Sequence, residues 1–106
     1  MQKYDIKKGL EGNIEKGRLK ELVSEAFGGS GDEQGKITAS FGALAKLIAW
    51  GEDKCLCVET QMRTDVPNDV AAETIKRYNA FLEKTTGFNS KERKKRIEAK
   101  AKKGKL

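Results

Sequence analysis

The chain has no histidine among its 106 residues, and only two cysteines and one proline. Without histidine the usual general base near neutral pH is missing, so catalysis would have to rest on carboxylates, lysines or a thiolate. Spacing clusters none of these. Glu52, Asp53, Asp65 and Asp69 flank turns or a helix start, where solvation and the helix dipole account for them. Cys55-Leu56-Cys57 is not a Cys-x-x-Cys redox pair, and there is no second pair to complete a tetrahedral zinc site. No apolar run is long enough to cross a bilayer. The opening residues Met1-Gln2-Lys3-Tyr4-Asp5 lack the apolar core of a signal peptide. These absences point to a cytoplasmic, non-enzymatic protein with no metal, cofactor or membrane partner.

What is present is charge, unevenly placed. Residues 91–106 carry nine Lys and Arg against Glu92 and Glu98, whereas residues 1–90 carry 13 basic and 14 acidic side chains. The net charge of +6 is therefore a nearly neutral body with a cationic end. Fixed charge of that kind suits a polyanionic partner, and nucleic acid is the commonest.

The pattern of apolar residues predicts the elements. Tyr4 to Lys7 alternates and reads as a short first strand. Asn13 is placed to cap a first helix, on which Leu19, Leu22, Val23 and Ala26 share one apolar face and Gly28-Gly29 is the stop. Ser30 to Gly35 reads as a mobile loop whose glycine spacing is not that of a P-loop. Three strands follow: Ile37 to Phe41, Ala45 to Trp50, and Lys54 to Arg63. A two-residue turn at Glu52-Asp53 would set Trp50 opposite Cys55, Ile48 opposite Cys57 and Lys46 opposite Glu59.

The preceding turn has two solutions. Gly42-Ala43 would put Phe41 opposite Leu44. A three-residue loop, Gly42 to Leu44, would pair Phe41 with Ala45 and collect Ile37, Ala39, Phe41, Ala45, Leu47, Ala49, Leu56, Val58 and Met62 on one apolar face. The second is preferred because helices can cover such a face.

After Pro67, Asn68 or Asp69 is expected to cap a second helix, with Ala71, Ile75, Tyr78 and Leu82 as its buried stripe and Phe81 beside it. Gly87 ends it, and Phe88 is placed to fold back on it. Ser90 would cap a third segment, Lys91 to Lys103, that is too polar to bury itself and frays when alone. The expected architecture is α+β: a two-layer antiparallel sheet in β-α-β-β-β-α order with helices on one face. Residues 1–89 are expected to form the compact domain, and 90–106 a basic, partly helical extension outside its core.

Four stretches look familiar: Ser40-Phe41-Gly42-Ala43-Leu44, Lys54 to Thr60, Tyr78-Asn79-Ala80-Phe81-Leu82, and Thr86-Gly87-Phe88-Asn89-Ser90-Lys91-Glu92-Arg93-Lys94-Lys95. With these the chain resembles a small archaeal family, a domain of unknown function of about this chain's length. It departs from the family at the hairpin, where Asp-Gly is expected and Glu52-Asp53 is found. The resemblance implies a compact α+β cytoplasmic protein and supplies no catalytic residues. The element order is also similar to one repeat of the TATA-binding-protein fold, an analogy of order alone.

Two surfaces are candidates for function. Lys91, Arg93, Lys94, Lys95, Arg96, Lys100, Lys102 and Lys103 would hold the phosphates of RNA or DNA, without base-specific readout. The uncovered sheet face around Ile48, Trp50, Cys55 and Cys57 would pair two copies into a homodimer, or else take an apolar ligand or another protein.

Overall fold

Alternation of apolar and polar residues between Lys36 and Met62 builds the centre of the molecule. The computed structural model describes residues 2–102, with strands β1 (Gln2–Asp5), β2 (Gly31–Glu33), β3 (Lys36–Phe41), β4 (Leu44–Glu52) and β5 (Cys55–Met62). All pair antiparallel in one sheet of order β1-β5-β4-β3-β2. Helices α1 (Lys16–Phe27), α2 (Asn68–Thr86) and α3 (Ser90–Lys102) complete the chain, with a short 3-10 turn at Glu11–Ile14. The fold is α+β as expected, but has one strand more.

That strand is β2, in the segment expected to be a mobile loop. Its residues are all exposed, so no apolar pattern marks it. The Gln34-Gly35 turn holds it, with φ of +53° and +81°, the doubly left-handed geometry that matches strand twist in a tight hairpin.

The β4–β5 turn is Asp53-Lys54, not Glu52-Asp53: both residues have positive φ, and Glu52 faces Cys55. The register therefore moves by two positions, with Trp50 opposite Cys57, Ile48 opposite Glu59 and Lys46 opposite Gln61. A two-residue shift keeps Lys46 to Trp50 and Cys55 to Gln61 on their expected faces.

At the β3–β4 turn the structure combines the two solutions. Phe41 pairs with Leu44 across Gly42-Ala43, while the register shifts between Ala39 and Phe41, and on the facing strand between Leu44 and Lys46. These irregularities return Ala39 to Leu47 and Ile37 to Ala49. Leu44 is thus buried, whereas Ala45 and Met62, expected inside, are exposed. Gly42 has φ +51°, and a Cβ there would stand 2.5 Å from Oγ1 of Thr74.

The helices cover one sheet face. Leu19, Leu22 and Val23 of α1 are buried as expected, joined by Phe27, whose ring lies 5.6 Å from Phe81 and 6.4 Å from Phe41. Asn13 does not cap α1. Its Nδ2 instead donates to the Thr85 carbonyl near the end of α2 at 3.1 Å. Gly28 and Gly87 end α1 and α2 in the left-handed conformation, as the glycine positions predict.

The buried stripe of α2 holds at Leu82 and Phe81, with Tyr78 packed against the core, and departs from expectation at Ile75. Thr74, Phe81, Leu82, Thr85 and Thr86 are buried, and Ile75 is 52% exposed. Thr74 takes the inward place because its Oγ1 accepts the buried Ala43 N–H at 2.9 Å and donates to the Val70 carbonyl. A backbone donor that would otherwise be orphaned outweighs one more apolar side chain.

Candidate nucleic-acid interface

The helix that carries the basic run begins with a reciprocal cap. Asn89 Oδ1 accepts the Glu92 N–H at 2.9 Å, and Glu92 Oε1 accepts the Asn89 N–H at 3.1 Å. Asn89, rather than Ser90, therefore caps α3 and fixes its rotation. Arg93, Arg96 and Ile97, spaced i, i+3, i+4, then fall on one side, which packs against the edge strand β1. Around them are Lys3, Tyr4, Asp5 and Phe88.

Arg93 is 6% exposed. Its guanidinium donates to the Phe88 carbonyl at 2.6 Å, to Asn79 Oδ1 at 3.2 Å and to Ser90 Oγ at 3.2 Å. It is a structural clamp, which removes it from the set expected to hold phosphates. Arg96 donates from Nε to Asp5 at 2.9 Å and stacks 4.5 Å from the Phe88 ring, so it too is engaged with the body. The extension expected to stay apart from the core is docked by these two side chains.

Lys91, Lys94 and Lys95 point away from the docked side. All three are exposed, and none makes an ion pair among the described residues. Exposed Glu98 lies one turn beyond Lys94 and tempers their field. Lys100 and Lys102 fall within α3 but their side chains lie outside the described residues, as does the whole of Lys103.

The uncovered sheet face is not the bare apolar patch expected of it. Cys57 is fully buried, so it offers no contact to a partner. Burial also pushes its thiol above the ordinary value of 9.0. Cys55, half-buried, points its thiol at Asp5 Oδ1, 3.8 Å away. Trp50 and Ile48 are half-buried. The Trp50 indole N–H donates to Glu52 at 3.3 Å, and the Lys36 ammonium sits 4.0 Å from the ring centroid. Lys3 pairs with Asp53 and Lys46 with Glu33. Opposed charges therefore border the aromatic on this face.

Among the described residues no three Cys, Asp or Glu side chains come together in a way that could hold a metal ion. No described helix is long and apolar enough to cross a membrane.

The model of the family named Domain of unknown function (DUF5611) matches residues 1–99, body and most of α3 together. The chain belongs to that family. Its fold is also similar to that of the hypothetical protein TA0095 from Thermoplasma acidophilum, determined in solution by NMR. That protein is 28% identical, over 92% of this chain and 97% of the other, with a TM-score of 0.69. No curated protein matches. The archaeal family resemblance and the α+β expectation both stand on these findings.

Lys3, Asp5 and Lys36 have no place among the sequence-derived candidates, yet they shape both surfaces. Asp5 and Arg96 lie at opposite ends of the chain, and no local pattern joins them. The spacing of Arg93, Arg96 and Ile97 is the one signal for docking that the sequence carries, and the sheer charge of the run masks it.

Proposed function

We propose that this is a non-enzymatic, cytoplasmic protein that binds nucleic acid weakly and without sequence preference through the outer face of α3. One observation carries the reading. The described cations of α3 are sorted by type: the arginines are occupied by the body, and the lysines stand outward without an anionic partner among the described residues. A helix clamped at its root presents these lysines from a fixed backbone, so less backbone freedom is lost when phosphates bind. Lysine acts as a mobile point charge toward phosphate, suited to contact that does not read bases.

Deleting residues 91–106 would be a poor test, because it would also remove the Arg93 clamp. The informative variant is Lys91→Glu/Lys94→Glu/Lys95→Glu, with circular dichroism to show that the fold is kept. It should lose retardation of both RNA and DNA. Undiminished binding by the folded variant would refute the reading.

A second reading is favoured by the sheet face that no helix covers, where Ile48 and Trp50 are half-exposed between charges of both signs. Two copies could pair there about a two-fold axis, each cation meeting the other copy's anion. Sedimentation over a range of concentrations tests it, with Ile48→Glu expected to give monomers.

A further inference from the structure

The open sheet face carries one ordered row that leads to α3. Trp50 of β4 faces Cys57 of β5, and Cys57 faces Lys3 of β1. On the other side Lys36 of β3 lies one position beyond the Ile37–Ala49 pair and reaches over the indole. Lys3 in turn borders the crevice formed with Arg93, Arg96 and Ile97 of α3. The row thus runs Lys36, Trp50, Cys57, Lys3 and on to the helix. Trp50 and Lys3 are two strand spacings apart, about 10 Å, a step that one or two nucleotides of an extended strand can cover.

The indole is oriented for stacking. Its N–H is directed in the ring plane toward Glu52, which holds the ring by its edge and leaves the face to exposed Lys36. That ammonium is a placeholder a base can displace, because a cation over an exposed ring is bound more weakly than a stacked base. Once displaced, Lys36 is free to meet the adjoining phosphate. Two of the nearby anions are already paired, Asp53 with Lys3 and Glu33 with Lys46, and the carboxylate beside the ring, Glu52, is bound to the indole N–H.

We propose that Trp50 is a base-stacking platform and that the ligand of this protein is single-stranded nucleic acid, laid from Trp50 toward the lysines of α3. This rests on the nucleic-acid reading above and adds to it a strand preference and a contact on the body. A duplex keeps its bases stacked inside and cannot offer one to an indole fixed on a sheet.

Trp50 is the only tryptophan in the chain, so its fluorescence reports on the site directly. Titration with a short oligothymidylate should quench it, and a duplex of equal length should bind more weakly and leave the emission unchanged. By anisotropy of a labelled oligothymidylate, Trp50→Leu should weaken binding at least about fivefold, the low end of one base–aromatic stack. Trp50→Phe, which keeps an aromatic face, should retain most of the affinity and shows that loss in Trp50→Leu is not misfolding. If both nucleic acids bind equally without quenching, the stacking site is overturned and the α3 reading survives. If neither binds, both fall. Emission that changes with protein concentration alone, together with a doubled mass, would mean that a second copy closes this face and would overturn the proposal.

Discussion

Nε of Arg96, in the last helix, lies 2.9 Å from a carboxylate oxygen of Asp5, in the first strand. That contact joins the two ends of the described chain and turns a basic run into a positioned helix. The neighbouring Arg93 does more of the holding, because its guanidinium is buried and makes three hydrogen bonds, whereas Arg96 is half-exposed.

Arg93→Ala should therefore destabilise the fold by about 2–4 kcal/mol, since it strands the acceptors that the guanidinium now satisfies. Arg96→Ala should cost about 1 kcal/mol or less, as expected for a partly solvated pair. Arg93→Lys should not rescue, because an ammonium cannot span three acceptors set around a planar fork. Denaturant midpoints of the three variants check the order, and equal losses for Arg93→Ala and Arg96→Ala would contradict it.

Thr74→Val should cost about 1–3 kcal/mol although it adds apolar surface to the core. The valine keeps the shape and leaves the Ala43 N–H without an acceptor. Thr74→Ser should stay closer to the parent protein, because it retains the hydroxyl. A stabilised Thr74→Val in urea denaturation would show that the hydroxyl is dispensable.

These same residues show what can be read in advance. The α1 stripe of Leu19, Leu22 and Val23 is legible because burial there is apolar and periodic. The α2 stripe falls wrongly on Ile75 because the inward position goes to a threonine serving a distant backbone donor, which no local pattern records. Strand β2 is invisible, since backbone bonds and a turn make it without any buried side chain. Around Ile48 and Trp50 the faces of β4 and β5 survive an error in register because the error is an even number of residues; at Ala45 and Met62 they do not, because the register shifts again between Leu44 and Lys46. In the basic run, net charge is legible, but the division between clamping arginines and outward lysines depends on Asp5, Phe88 and Asn79.

Lys54 adopts φ +61° in the β4–β5 turn, a conformation that costs most side chains about 1 kcal/mol or more. Glycine following Asp53 would make a favoured pair for this turn. Lys54→Gly should therefore raise stability by about 0.5–1 kcal/mol, net of the extra freedom glycine gives the unfolded chain. A lowered thermal midpoint would mean that the turn is not left-handed at both positions.

Alkaline pH should lower the stability of the fold in two stages. Burial raises the Cys57 thiol above 9.0. Burial, and then a hydrogen bond with Tyr4, raise the Tyr78 hydroxyl far above 10.0. Both groups keep their protons in the folded chain at pH values where the unfolded chain would lose them. Their contribution is thus complete below about pH 9 and declines as pH rises, more steeply once unfolded tyrosine ionises. Tyr78→Phe should flatten the upper part of that decline. Urea midpoints that stay constant from about pH 8 to about pH 11 would exclude it.

The salt dependence of nucleic-acid binding should count the lysines of α3. Each ammonium that neutralises a phosphate releases condensed counterions, so each adds about 0.7 to the log–log slope for a single strand. Replacing Lys91, Lys94 and Lys95 by Gln one at a time should lower that slope by about one contact each, with similar losses on every sequence tested. Arg93→Gln should behave differently: its effect should track the loss of fold stability, because Arg93 has no free donor face toward solvent. Asp5→Asn separates the two roles further, since it loosens the Arg96 anchor and leaves all three lysines in place. It should change binding only modestly, because Arg93 still holds the helix, and it should not lower the slope. A slope that falls in Asp5→Asn but not in the lysine variants would place the phosphate contacts elsewhere on the molecule.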